Sequence, residues 1–154
     1  MTAKLSIRDI STVLDSMIQN LHQAFEEQLV SVVIYGSYAR GEATRGSDID
    51  LLIVVRTLPQ DWQSIHRLED EWMLKGRQFG KRFQVMLATP EDVSDSVECA
   101  APMMLEIYDA HKIILDQDNF FRDYMLRMEH LIKERGIQMR KPGVWKVPER
   151  VTSS

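Results

Sequence analysis

Two short motifs, separated by ten residues, carry side chains that could do chemistry together. Gly36-Ser37 follows an apolar β-branched run, and Asp48 and Asp50 flank Ile49 where a second apolar run begins. Glycine allows a sharp turn after a strand, and a serine at a helix start offers its hydroxyl and free N–H groups to a phosphate. Two carboxylates two residues apart on a strand point the same way, and an oxygen-binding cation such as Mg²⁺ removes their repulsion. A phosphate site beside a Mg²⁺ site is the minimum apparatus for nucleotidyl or phosphoryl transfer.

Each motif also has a simpler interpretation. Gly-Ser after a strand is commonly only a turn, and Asp-x-Asp at a strand start is commonly a solvated strand end or a cap. Arg40 and Arg45 lie between the motifs and could stabilise phosphate charge, although both are equally compatible with a solvated surface. The two motifs together, in this order and between two strands, are much more specific than either alone.

The pattern of Gly36-Ser37, ten residues and then Asp48-Ile49-Asp50 resembles the signature of the polymerase-β-like nucleotidyltransferase superfamily. It is most similar to the minimal nucleotidyltransferases, the small single-domain members of bacteria and archaea. The resemblance implies a Mg²⁺-dependent transferase that moves a nucleoside monophosphate, expected to be AMP from ATP, to an acceptor hydroxyl. It also implies that the acceptor can be a small helical partner protein, as in toxin–antitoxin-like pairs.

The same resemblance assigns nucleotide binding to the turn and the arginines after it, and metal binding and catalysis to the aspartates. In the superfamily, one metal ion carries the nucleotide phosphates and another activates the acceptor hydroxyl. The nucleotide-binding candidates are Gly36, Ser37, Arg40 and Arg45, and the metal-binding and catalytic candidates are Asp48 and Asp50.

A third carboxylate completes the metal site in that superfamily, and it comes from a neighbouring strand. The third predicted strand places Gln84, Met86 and Ala88 on the face expected for the site, and none of them is acidic. Losing a general base costs on the order of 10²–10⁴ in rate. The enzyme could therefore be slow, or Glu42 or Glu71 could substitute. The alternative function is a catalytically weak or inactive module that binds a nucleotide or a partner protein.

Composition narrows the class of protein. The chain has 154 residues and an apolar fraction of 44%, which suits one globular domain with a substantial core. Its formal charge of −4 gives no general attraction for nucleic acid or membranes, so neither is an expected partner. The single cysteine, Cys99, excludes an internal disulfide, fits a reducing cytosol and is predicted to be a small buried side chain. No apolar segment resembles a signal core or a membrane span, so a cytoplasmic location is expected.

The order of predicted elements favours a mixed α/β domain over residues 1–136, with helices against a short twisted mixed sheet of four or five strands. Residues 137–154 are predicted to form a basic, partly ordered tail that either folds back along the sheet edge or touches a partner. Asp61 and Thr89 are predicted helix caps. A basic stretch before the third strand is either a solvated loop or the source of a cation for the triphosphate, and its members are Lys75, Arg77, Lys81 and Arg82.

Overall fold

A computed structural model describes residues 3–141 and 144–148 of the chain. The helices of this part are α1 (Ser11–Phe25), α2 (Ser37–Arg40), α3 (Trp62–Gln78), α4 (Pro90–Glu98), α5 (Pro102–Asp109) and α6 (Phe120–Arg135). The strands are β1 (Leu29–Tyr35), β2 (Ile49–Val55), β3 (Phe83–Ala88), β4 (His111–Asp116), β5 (Gln138–Lys141) and β6 (Val144–Lys146). None of the helices described is long and apolar enough to cross a membrane.

Four strands form the main sheet, in the order β3-β2-β1-β4. β1 is antiparallel to both β2 and β4, whereas β2 and β3 are parallel, so the sheet is mixed. Across the three strands that carry the motifs, Tyr35 lies opposite Asp50, and Asp50 lies opposite Gln84. The predicted mixed α/β class, with four strands in the main sheet, is confirmed.

Helices cover both faces of this sheet, which explains why its central strands are continuous apolar runs. Leu51 and Ile53 pack with α1 and α3 in the first core cluster. Leu52 and Val54 pack with α4, α5 and α6 in the second core cluster, on the other face. Because side chains alternate along a strand, Asp50 shares the face of Leu52 and points toward the layer of α4 to α6. The aspartate motif therefore lies at one end of the second core cluster.

The two predicted caps fix the starts of the helices on either side of β3. Asp61 accepts a hydrogen bond from Ser64 N at 3.0 Å and begins α3. Thr89 and Asp92 exchange hydrogen bonds of 3.1 and 3.0 Å in a capping box at the start of α4. Both cap predictions are confirmed, and each cap satisfies N–H groups that the first helical turn leaves free.

Residues that follow α6 form a small hairpin. β5 and β6 pair with each other in a separate two-stranded sheet, so within the described residues this segment adds no strand to the main sheet. Ile137 is buried in the second core cluster, and the Trp145 ring lies 6.5 Å from the Tyr108 ring, centroid to centroid. The division of the chain at residue 136 stays a prediction.

Cys99 is exposed, so the prediction of a buried side chain is wrong. Val93 and Val97 carry the buried side of α4, and Cys99 is the C-cap residue just beyond the helix. A residue at a helix end is not held to the helical stripe, and the small apolar character of cysteine alone could not place it.

Candidate active site

The turn after β1 packs directly against the aspartate motif. Gly36 has φ +71° and ψ −149°, a backbone conformation that essentially only glycine adopts. A Cβ atom on Gly36 would overlap the Asp50 carboxylate. Glycine is therefore required here both for the direction of the chain and for the space that the carboxylate occupies. The structure brings together the two motifs that the sequence separates by ten residues.

Ser37 is the first residue of α2, immediately after this turn. Its backbone oxygen accepts a hydrogen bond from Glu42 N at 2.9 Å. Tyr38, the next residue, is buried and anchors the short helix in the first core cluster. The hydroxyl of Ser37 is thus carried on a fixed backbone beside Gly36.

Asp48 precedes β2, and two side chains from the β3 side approach it. Arg82 Nε lies 3.0 Å from Asp48 Oδ1, and Gln84 Nε2 donates to Asp48 Oδ2 at 3.4 Å. Oδ1 is buried, and it makes no hydrogen bond of acceptable geometry within residues 3–141 and 144–148. A charged oxygen that is covered without a hydrogen bond is suited to a metal ion or another cation.

Asp50 lies in a half-buried, negatively charged environment. Burial, and after it the charges of Asp48 and Glu106, raise the pKa of Asp50 to about 6. Burial also raises the pKa of Tyr35 to about 12, with the Asp50 charge as the second cause. Burial is the main cause of both shifts and nearby carboxylates add to it, so a cation beside Asp50 would lower the cost of its charge.

The residue beside Asp50 on β3 is Gln84, so the side chain expected to face the site lies next to an aspartate and is not acidic. Glu71 cannot replace the missing acid, because it lines a hollow with Phe25 and Trp72 on the opposite face of the sheet. Glu42 is exposed after α2 and lines a separate open hollow that includes Asp109.

Glu106 is the acid that the sequence analysis missed. It lies on α5, partly buried, and its charge raises the pKa of Asp50. Its neighbours Met104 and Ile107 are core residues, so the helical pattern identifies α5 as a packed helix but says nothing about which strand end it covers. Only the packing of α5 against the sheet places Glu106 where its charge acts on Asp50.

The arginines between the motifs are in different environments. Arg40 Nη1 lies 2.8 Å from Asp109 Oδ2, and both side chains are largely buried, which ties α2 to the end of α5. Arg45 is exposed in the loop between α2 and β2, and its carbonyl accepts from Lys81 Nζ at 3.4 Å. Neither contact tests their predicted role in nucleotide binding.

Three cations of the basic stretch before β3 have contacts that place them on one face of the sheet or the other. Lys75 lies 5.3 Å from the centre of the Trp72 ring, on the side of the sheet away from the aspartates. Lys81 lies 5.7 Å from the centre of the Tyr38 ring, and Arg82 contacts Asp48. Of the stretch, Arg82 is the cation that meets the carboxylates.

The donor set fits one oxygen-preferring cation. No group of three or more His, Cys, Asp or Glu side chains is arranged as a metal site in the part of the chain that the structure describes. The buried Oδ1 of Asp48 and the Asp50 carboxylate against Gly36 supply two carboxylates, and phosphate and water oxygens usually complete a Mg²⁺ shell. The residues therefore suit a metal that arrives with a nucleotide.

Comparison with protein families gives an independent identification. The profile of the nucleotidyltransferase domain matches residues 14–107, which is more than half of the chain and includes both motifs and Glu106. The chain belongs to the nucleotidyltransferase domain family. The membership expected from the residues of the two motifs is confirmed.

Two relatives of this nucleotidyltransferase come from Methanocaldococcus jannaschii, and both carry the name "Putative protein adenylyltransferase". MJ1305 is 31% identical over 144 residues, which span 92% of this chain and 97% of the relative. MJ0141 is 34% identical over 70 residues, which span 44% of this chain and 60% of the relative. The first relative matches almost end to end, so the likeness extends well beyond the two motifs.

Solved structures share the fold of this nucleotidyltransferase. A toxin–antitoxin crystallised with AMP-PNP superposes with a TM-score of 0.52 at 17% identity, covering 79% of this chain and 92% of the other. The spectinomycin adenyltransferase AAD(9) from Enterococcus faecialis, with ATP and spectinomycin, gives 0.52 at 15% identity, covering 80% and 67%. At these identities the likeness establishes the fold alone.

Proposed function

We propose that this nucleotidyltransferase transfers AMP from ATP to a hydroxyl group of a protein acceptor and releases pyrophosphate. The observation that supports this most directly is the contact of the Gly36 turn with the Asp50 carboxylate, which joins a phosphate-binding turn to a cation-binding pair. The name shared by the M. jannaschii relatives supports a protein acceptor. The toxin–antitoxin neighbour supports a small partner protein as that acceptor.

The site residues divide into a metal-binding set and a nucleotide-binding set. Asp48 and Asp50 would hold Mg²⁺, which would supply charge neutralisation for the triphosphate and the acceptor oxygen. Gly36 and Ser37 hold phosphate oxygens through the turn backbone and the serine hydroxyl. Arg45 lies at the exposed rim, where it meets nucleotide charge.

Arg40 is assigned mainly a positioning role. Its guanidinium is paired with Asp109 at 2.8 Å, so it fixes the turn that carries Ser37 against α5. Its charge still contributes to the potential at the phosphate site, because the pair is only one helical turn from Ser37.

The transfer balances as a single displacement. The acceptor hydroxyl oxygen forms a bond to the α-phosphorus of ATP, and the bond from that phosphorus to the bridging oxygen of the β-phosphate breaks. Pyrophosphate carries away the electron pair of the broken bond, and the hydroxyl proton passes to solvent water. Gln84 has no carboxylate to receive that proton, so the reaction is expected to be slow for this family.

The neutral side chain of Gln84 also favours a second candidate function, a nucleotide-binding module without turnover. Because Gln84 lies opposite Asp50, the usual place of the third acid is filled by a neutral side chain. The Asp48–Asp50 pair weighs against this candidate, because a repulsive carboxylate pair has no use in a pure scaffold.

Calorimetry and a transfer assay separate the candidates. Mg²⁺-ATP is titrated into the native protein, the Asp48→Ala/Asp50→Ala double variant and an Asp70→Ala control from the exposed surface of α3. Transfer from ATP labelled on the α-phosphate is then followed into proteins of a cell extract. The proposal expects binding and transfer in the native protein and the control, and loss of both in the double variant. Binding without any transfer would favour the module, and unchanged binding by the double variant would overturn both functions.

A further inference from the structure

Arg82 contacts the buried carboxylate oxygen of Asp48. Its Nε lies 3.0 Å from Asp48 Oδ1, the buried oxygen that makes no hydrogen bond in the chain as described. The same guanidinium donates through Nη2 to Gly46 O at 3.2 Å. A positive group is thus held against one of the two carboxylates by charge and by one backbone contact.

The backbone of Arg82 is held by strand pairing, whereas its side chain is mostly exposed. Ile49 N donates to Arg82 O at 2.9 Å, which continues the parallel pairing of β2 and β3 by one residue. This bond sets Arg82 beside Asp48 regardless of where the guanidinium points. The side chain is 63% exposed, so a change of its rotamer would not disturb the core.

We propose that Arg82 is a phosphate-binding residue that neutralises Asp48 in the free protein and passes to the triphosphate when metal and nucleotide bind. This inference rests on the proposed function of the same site. A divalent cation and a guanidinium compete for Asp48 Oδ1, because both need the same oxygen. The incoming triphosphate supplies the displaced guanidinium with new anionic partners a short distance away.

The other cations near the site are less suited to this exchange. Arg40 is largely buried in its pair with Asp109, so moving it would separate α2 from α5. Lys81 lies over the Tyr38 ring, and an ammonium lacks the planar fork with which arginine binds phosphate oxygens. Arg82 combines contact with the carboxylate, exposure and the appropriate geometry.

The proposal predicts that removing the Arg82 charge strengthens the binding of a free metal ion and weakens the binding of the metal–nucleotide complex. Arg82→Gln removes both the competitor and the repelling charge, so Mn²⁺ without nucleotide, used as the probe for the cation site, should bind about two- to fivefold more tightly. The same variant loses a phosphate contact, so Mg²⁺-ATP should bind about two- to fivefold more weakly. Arg82→Lys keeps the charge and should restore Mn²⁺ affinity to the native value and ATP affinity in part.

The control is Arg67→Gln, which removes the same charge from an exposed position on α3. It should leave both affinities within error of the native protein, and thermal unfolding should show that every variant is folded. Equal weakening of both ligands by Arg82→Gln would indicate a structural role and overturn the proposal, as would no change in either. Failure of the native protein to bind Mn²⁺ and Mg²⁺-ATP would overturn the proposed function as well. Normal native binding without the crossed effect would overturn only the role of Arg82.

Discussion

At the scale of single residues, the candidate site depends on the absence of a Cβ atom at Gly36. Gly36 and Gly41 both have positive φ, +71° and +73°, so both positions strain any residue with a Cβ atom. They differ in their surroundings, because a Cβ at Gly36 would overlap Asp50, whereas nothing lies within 4 Å of one at Gly41. This pair separates the cost of backbone strain from the cost of losing the contact with the aspartate.

Gly41→Ala should lower the free energy of unfolding by about 1–2 kcal/mol, because alanine resists the left-handed conformation. Gly36→Ala should cost more and should also abolish Mn²⁺ and Mg²⁺-ATP binding, since the added carbon displaces the Asp50 carboxylate. Urea unfolding and calorimetry measure the two effects. Equal metal affinity in the two variants would contradict the inferred packing of Asp50 against the turn.

The raised pKa of Asp50, about 6 against an ordinary 3.8, makes both stability and metal binding depend on pH. A carboxyl whose pKa is higher in the folded state stabilises the fold when protonated, and this contribution is lost as pH rises through about 6. Asp50→Asn without metal should therefore be more stable than the native protein at pH 7.5, on the order of 1 kcal/mol after discounting for solvent screening. The difference should vanish near pH 4, close to the ordinary pKa of 3.8. Mn²⁺ affinity of the native protein should fall as pH decreases through the same range, because protons compete for the carboxylate.

Asp61→Asn should change the stability in the opposite direction to Asp50→Asn. Hydrogen bonds from Ser64 lower the pKa of Asp61, so its contribution to stability is present at neutral pH and lost as pH falls. This variant should be less stable than the native protein at neutral pH. Chemical unfolding of both variants across the pH range measures the two trends, and the same sign for both would contradict the inferred environments.

At the scale of elements, α3 is fastened to the edge strand β3 by a buried acid. Glu69 is 9% exposed, and its Oε2 accepts from Leu87 N at 2.8 Å, while His66 Nδ1 lies 2.9 Å from its Oε1. Nothing in the sequence pattern indicated that Glu69 points inward. Because β3 supplies Gln84 and follows Arg82, the attachment of α3 holds one side of the site in place.

Glu69→Ala should lower the free energy of unfolding by about 1–3 kcal/mol, since it leaves a buried backbone N–H without a partner. Glu69→Gln keeps an acceptor and should lose less. Glu71→Ala, from the exposed surface of the same helix, should change stability by less than about 0.5 kcal/mol. Urea unfolding of the three variants gives the comparison, and equal losses for Glu69→Ala and Glu71→Ala would rule out the buried bond as a significant contribution.

At the scale of the whole molecule, strand pairing decides which residues meet at the site. The parallel register of β2 and β3 puts residue 84 opposite Asp50 and leaves Arg82 beside Asp48. The glutamine at that position departs from the three-carboxylate pattern that the resemblance implies. A change of one residue in register would exchange the faces of β3 and bring Phe83 or Val85 to the site instead.

Gln84→Glu should supply the third carboxylate that the register makes possible. Single-turnover transfer from labelled ATP should rise, by up to about 10²-fold if the missing base limits the rate. The Mn²⁺ stoichiometry should increase from one toward two, and stability without metal should fall because a third negative charge joins the pair. Gln78→Glu, an exposed change at the end of α3, is the control for added charge. An unchanged rate with a folded Gln84→Glu variant would show that the proton leaves by another route.

The sequence alone was sufficient for the local geometry of the two motifs and for most of the elements. The glycine-serine turn, the same-facing aspartates and the caps at Asp61 and Thr89 are visible because each depends on neighbours within a few residues. The alternation on β3 also showed that Gln84 would face the site. Apolar runs predicted the buried strands for the same reason, since the period of burial is set by the local geometry of a strand.

Only the tertiary structure decided which distant groups complete the site. Glu106 acts on Asp50 through the packing of α5, and Arg82 contacts Asp48 through the pairing of β3; no spacing along the chain encodes either arrangement. The same packing excluded Glu71, which is on the opposite face of the sheet. The physical reason is that a local pattern fixes the direction of a side chain on its own element, whereas its neighbours depend on how the elements pack across the whole fold.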